Sequence, residues 1–119
     1  EDGNKNAYFY LGLLYNDEKK YDLAVEYYKK AIDEGSKNAL NNLAMIYMDR
    51  EEYDLAEECY KMAIVKNVKG SVYNLGNLYY IQEKYDLAKR YYRIAAQEGD
   101  SDAWEMLRII ELDIQKTYY

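Results

Sequence analysis

The tetrapeptide Tyr-Asp-Leu-Ala occurs three times in this 119-residue chain, at 21–24, 53–56 and 85–88, each copy 32 residues after the last. A period of this length constrains folding more than any composition does. Each unit must make the same supersecondary element and bury its apolar surface against its neighbours. Other columns keep the same step: Leu11, Leu43, Leu75 and Leu107; Leu14, Ile46, Leu78 and Ile110; Tyr15, Tyr47 and Tyr79. In the second half of each unit Ala24, Ala56 and Ala88 align, then Tyr28, Tyr60 and Tyr92, then Ala31, Ala63 and Ala95.

Within a unit the apolar residues step by three and four, as in Tyr8, Leu11 and Tyr15 or Tyr21, Ala24, Tyr28 and Ala31, which is the spacing of one helix face. Each unit is therefore expected to be two helices: an A helix near 5–17, 37–49 and 69–81, and a B helix near 20–34, 52–66 and 84–98. Gly35, Asn67 and Gly99 fall where a left-handed residue closes a helix, and Asp22, Asp54 and Asp86 fall in a first turn, beside the positive end of the helix dipole. In Tyr-Asp-Leu-Ala the tyrosine is expected to anchor the turn against the A helix, the leucine to face the next unit and the alanine to let backbones approach. Gly12, Ala44 and Gly76 form the small column that a closely crossing B helix requires.

The expected fold is thus all-α, a right-handed solenoid of antiparallel helix pairs in a single domain over 1–119. Its units lie at about 5–36, 37–68 and 69–100, and a cap helix at 101–115 ends it. In that last segment Arg108 occupies the small column and Glu111 the tyrosine column, so no B helix is expected to pack there. Trp104, Leu107 and Ile110 are expected to cover the third unit, with Arg108, Glu111 and Lys116 turned to solvent. At the other end Glu1-Asp2-Gly3 reads as the closing turn of a preceding B helix. A chain that opens inside a repeat, without Met, is expected to be part of a longer array or trimmed of an N-terminal segment, a signal peptide included.

The run Leu11-Gly12, Tyr15, Ala24, Tyr28, Ala31, repeated from Leu43 and from Leu75, resembles the tetratricopeptide repeat consensus. The linkers AIDEGSKNA and AAQEGDSDA are similar to the Sel1-like branch of that superfamily. The period is shorter than the usual repeat of about 34 residues and lacks its turn proline. The resemblance implies a concave surface lined by the A helices that binds an extended segment or a helix. It places Asn6, Phe9, Leu13, Asn16 and Asp17 on that surface in the first unit, Asn38, Asn41, Met45, Met48 and Asp49 in the second, and Gly70, Tyr73, Asn77, Tyr80 and Ile81 in the third.

Helical geometry independently puts 9-13-16, 41-45-48 and 73-77-80 on one stripe each. These residues lie outside the packing columns, yet they are aromatic, aliphatic, Met or Asn where a solvated face would carry Lys and Glu. Asn can hold a peptide backbone through its donor and its acceptor, and Met and aromatic rings make adaptable apolar pockets. The candidate binding residues are Phe9, Leu13, Asn41, Met45, Met48, Tyr73, Asn77 and Tyr80. The competing reading is an array that fills its own groove, with Asn serving only to cap turns.

Composition narrows the chemistry. The chain has no His, which removes the commonest general base and metal ligand, and the lone Cys59 has no basic cluster beside it in sequence. The acidic pairs Asp33/Glu34 and Glu57/Glu58 are neighbours that point apart on a helix, so they read as solvated charge. No enzyme, metal or cofactor is expected. A net charge of −6 argues against nucleic acid and for a neutral or basic protein or peptide, and no apolar run is long enough to span a membrane. An acidic C-terminal peptide is disfavoured because the groove face of the A helices carries Asn and apolar residues, with Asp17, Asp49 and Asp113 at its edge. A cytoplasmic setting is expected. The alternative function is a structural module that self-associates or extends a longer array.

Overall fold

The computed structural model describes residues 6–118, with side chains from 6 to 112. Gly3, the Glu1-Asp2 turn and the outward placement of Lys116 lie outside the described residues. Among the described residues seven helices follow in order: α1 (Ala7–Asp17), α2 (Tyr21–Asp33), α3 (Asn38–Asp49), α4 (Tyr53–Val65), α5 (Ser71–Ile81), α6 (Tyr85–Gln97) and α7 (Ser101–Tyr118). No strand occurs among the described residues. The chain divides between Val68 and Lys69 into two compact units. In the first, α1 packs on α2, α3 on α4, and α2 on α3; in the second, α5 packs on α6 and α6 on α7.

The period of the sequence becomes a period of backbone turns. After α2 the Ser36 amide donates to the Ala31 carbonyl and the Gly35 amide to Ile32, with Gly35 at φ 95°. This pair of bonds is the Schellman closure, which needs a left-handed residue just past the helix. It recurs after α4 through Asn67 (φ 60°) and after α6 through Gly99 (φ 99°), as the Gly/Asn column leads one to expect. The same closure also ends each A helix. There the left-handed residues are Lys19, Glu51 and Glu83, all at φ 62°, and the amides of Lys20, Glu52 and Lys84 donate to Tyr15, Tyr47 and Tyr79. Tyr-Asp-Leu-Ala begins directly after that turn. Asp22, Asp54 and Asp86 lie in the first turns of α2, α4 and α6.

Tyr28, Tyr60 and Tyr92 are fully buried, together with the alanine columns at 24, 56, 88 and 31, 63, 95. The small column works differently from the expected backbone approach. A Cβ on Gly12 would stand 2.5 Å from the Tyr28 ring, and one on Gly76 would stand 2.8 Å from the Tyr92 ring. The residue that fills the space over each glycine is a tyrosine ring 16 positions on, not the alanine of the motif.

Three details correct the sequence reading. Leu23 and Leu55 of the repeated motif are exposed and so do not serve as buried stacking contacts. Leu14 is 49% exposed, although its column mates Ile46 and Ile110 are buried. Helices α3 and α7 each pack on the preceding helix of their own unit, whereas no described helix precedes α1. On α7, Ala103 and Ile110 are buried and Leu107 is half-buried, but Trp104 is 58% exposed, one step round from the face that meets α6. Arg108 is exposed.

Candidate functional site

The candidate stripes lie on the A helices, and each unit is considered by itself. In the first unit α1 carries Phe9, Leu13 and Asn16, all half-buried. Helix α3 carries half-buried Asn41 and Met48 on either side of Met45, which is 49% exposed. Neither stripe contains a charged residue, although Asp17 and Asp49 close the two helices in exposed positions. In the second unit Tyr73, Asn77 and Tyr80 are half-buried along α5.

Four of the eight candidates also serve the packing inside a helix pair. The Phe9 ring meets that of Tyr28 at 6.2 Å between centroids, Tyr73 meets Tyr92 at 5.7 Å, and Tyr80 meets Tyr85 at 5.6 Å. The Tyr92 hydroxyl donates to Asn77 Oδ1 in a short hydrogen bond. Sequence periodicity set these residues apart from the packing columns. A tyrosine on the B helix is long enough to lie across the glycine of the A helix and deliver its hydroxyl to the far side, where the stripe begins.

The first unit has no amide at the position equivalent to Asn77. The residue 32 positions before Asn77 is Met45, and the one before that is Leu13. The Tyr28 hydroxyl is buried without a hydrogen-bond partner. Burial pushes its pKa up, while the neighbouring amides of Asn16 on α1 and Asn42 on α3 pull it down and Asp17 adds a small rise. Asn42 was not among the candidates. It lies one step round from Asn41 on α3, and only the position of the Tyr28 ring draws attention to it.

The remaining reactive groups are quiet. Burial, and then the Glu58 carboxylate, push the Cys59 thiol up to about 11 against a smaller pull from Lys29, so it stays protonated at neutral pH and is a poor nucleophile. Burial likewise raises Tyr60 to about 12 and raises Tyr92 as well. No described group of three or more His, Cys, Asp or Glu could hold a metal ion, and no described helix is long and apolar enough to cross a membrane. The tyrosines of the first pair form a cluster of their own. Tyr15 stacks on Tyr27 at 5.5 Å, and the Lys30 ammonium stands 5.1 Å from the Tyr27 ring and 5.6 Å from that of Tyr8.

Models of the tetratricopeptide repeat match residues 6–34, 38–67 and 70–97. Among solved structures, the chain is similar to the TPR2AB-domain:pHSP90 complex of yeast Sti1, with a TM-score of 0.87 at 21% identity over 99% of this chain. It spans 50% of that Sti1 chain. The second TPR domain of human RPAP3, in complex with the HSP70 peptide SGPTIEEVD, aligns with a TM-score of 0.69 at 24% identity, over 84% of this chain and 88% of that one. A Sel1 repeat protein from Oxalobacter formigenes aligns with a TM-score of 0.66 at 25% identity, over 90% of each chain. No curated protein matches the chain in sequence.

Proposed function

This chain belongs to the tetratricopeptide repeat family, and on that footing we propose that it is a non-enzymatic scaffold that binds another polypeptide through its A helices. Phe9, Leu13, Asn41, Met45 and Met48 make the contacts in the first unit, and Tyr73, Asn77 and Tyr80 make them in the second. The observation that carries this reading is the half-exposed Met45 on an uncharged stripe between Asn41 and Met48. Open apolar surface with amides beside it suits a peptide, whose backbone needs donors and acceptors and whose side chains need adaptable pockets.

The Sti1 domain is held in a complex with pHSP90 and the RPAP3 domain in one with an HSP70 peptide, which supports a peptide as the class of partner. The charge of the partner is argued from this chain's own residues. Helices α1, α3 and α5 contain no Lys or Arg, and the chain as a whole carries a net charge of −6. A neutral or basic segment fits that surface without an unmatched charge.

The test is selection of random peptides displayed on phage against the immobilised chain, with calorimetry on the synthesised winners. Neutral or basic sequences are expected. Met45→Glu is expected to weaken their binding about tenfold or more while leaving the melting temperature in place, because the side chain is half exposed. Selected peptides that bind Met45→Glu and Tyr73→Ala as tightly as the parent chain would overturn this assignment.

A further inference from the structure

Residues 104–112 read Trp-Glu-Met-Leu-Arg-Ile-Ile-Glu-Leu. Counted outward from Arg108, each step meets the same chemical class on both sides: Leu107 and Ile109, Met106 and Ile110, Glu105 and Glu111, Trp104 and Leu112. In two identical helices packed antiparallel about a two-fold axis beside residue 108, position 108+n of one copy stands level with 108−n of the other. A segment that is a chemical palindrome therefore presents like against like at every level.

The exposed face of α7 is the face that such a pairing uses. At 100° per residue, Trp104 and Leu112 lie about 40° either side of Arg108, and Glu105 and Glu111 about 60° either side. All five are exposed, Trp104 by 58% and Leu112 by 54%, while Ala103 and Ile110, on the opposite side of the helix, are buried. A shallow, open hollow on α7 is lined by Trp104, Leu107, Arg108, Glu111 and Leu112.

We propose that this face docks a second copy of the same chain, α7 against α7 in antiparallel orientation, with the two Arg108 side chains flanking the axis. The partner's indole then stands level with Leu112 and enters the hollow.

Charge singles out this occupant. Arg108 Nη1 lies 3.2 Å from Glu105 Oε1, and Lys89 Nζ lies 3.4 Å from Glu111 Oε1. The patch is thus neutral within a chain of net charge −6. Two such patches bring no net repulsion, and each Arg108 falls between the partner's Glu105 and Glu111, one turn away on either side. A strongly acidic or basic partner would leave one sign unmatched. A B helix following α7 is the wrong shape for this face, because the column that is Gly12 or Gly76 beneath a tyrosine ring is Arg108 here.

A single helix pair buries less than a standard interface, so the dimer is weak and calls for measurement at high concentration. Sedimentation equilibrium of the 119-residue chain from about 10 µM to about 1 mM is expected to show a mass that rises from 14.2 kDa to twice that value and stops there. Leu112→Glu and Arg108→Glu are each expected to raise the dissociation constant about tenfold or more. Both sites are exposed, so helical circular dichroism should be unchanged. Mixing Arg108→Glu with Glu105→Arg chains should restore a mixed dimer, which a merely unfolded variant could not do. A chain that stays monomeric throughout the range overturns the proposal, as does a dimer indifferent to both substitutions. Open-ended growth that is abolished by Tyr10→Glu, at the exposed face of α1, would overturn it in favour of head-to-tail assembly.

Discussion

The ring of Tyr28 lies over Gly12 so closely that a methyl group on the glycine would stand 2.5 Å from two of its carbons. Gly76 and Tyr92 repeat the arrangement at 2.8 Å. This contact joins α1 to α2 and α5 to α6, and in the second of these it carries the tyrosine hydroxyl through to Asn77 on the candidate binding side.

Gly12→Ala should therefore destabilise the chain. Overpacking costs roughly 1–3 kcal/mol and the better helix propensity of alanine returns about 1, leaving a net loss of about 1–2 kcal/mol. Gly76→Ala should cost less, because its ring starts 0.3 Å farther away by the two distances above. Urea unfolding followed by circular dichroism measures both, and equal or reversed losses would contradict the ring-over-glycine account.

Removing the same atom from two equivalent tyrosines should cost unequal amounts. Tyr92→Phe deletes the hydroxyl that donates to Asn77 and should cost about 1 kcal/mol. Tyr28→Phe deletes a buried hydroxyl that has no close hydrogen bond and only the flanking amides of Asn16 and Asn42, so it should cost less, about 0–0.5 kcal/mol. Comparing the two unfolding midpoints at equal m-value decides the matter.

The turns between A and B helices hold side-chain-bearing residues at positive φ. Glu51→Gly removes a left-handed strain of about 1–2 kcal/mol and adds about 0.4–1 kcal/mol of unfolded-chain entropy, for a net gain of up to about 1 kcal/mol. Gly35→Ala should lose about 1 kcal/mol through the backbone alone, because nothing lies within 4 Å of the added methyl. Thermal melts of the two variants should move in opposite directions.

Alkali should unfold the protein through its buried phenols. Burial holds Tyr60 at about 12 against an ordinary value of 10.0, so between those values the folded chain binds more protons than the unfolded one. Stability should be intact below pH 10 and fall as pH rises toward 12, with Tyr28 and Tyr92 shifted in the same direction. Tyrosinate absorbance near 295 nm (about 295 nm for any ionised phenol) should appear in two phases. The later phase should coincide with loss of helical circular dichroism.

Sequence alone determined the helix pairs, their order and the closures at Gly35, Asn67 and Gly99. Each of these depends on residues within a few positions of one another, on a three-and-four spacing or on the tolerance of glycine and asparagine for positive φ. The closures at Lys19, Glu51 and Glu83 were not legible in that way. Lysine and glutamate have no preference for the left-handed region and adopt it there because the hydrogen bonds to Tyr15, Tyr47 and Tyr79 require it. The stripes on α1, α3 and α5 were readable as stripes. That Asn77 is engaged by Tyr92, and that Tyr28 has no counterpart to it, depended on how far a ring reaches across the neighbouring helix. The palindrome around Arg108 is written in the sequence, but it becomes a surface only because α6 covers Ala103 and Ile110 and leaves Trp104, Arg108 and Leu112 outside. Periodicity assigns residues to faces; which face is covered, and by which side chain, is decided by distances between helices that no local pattern encodes.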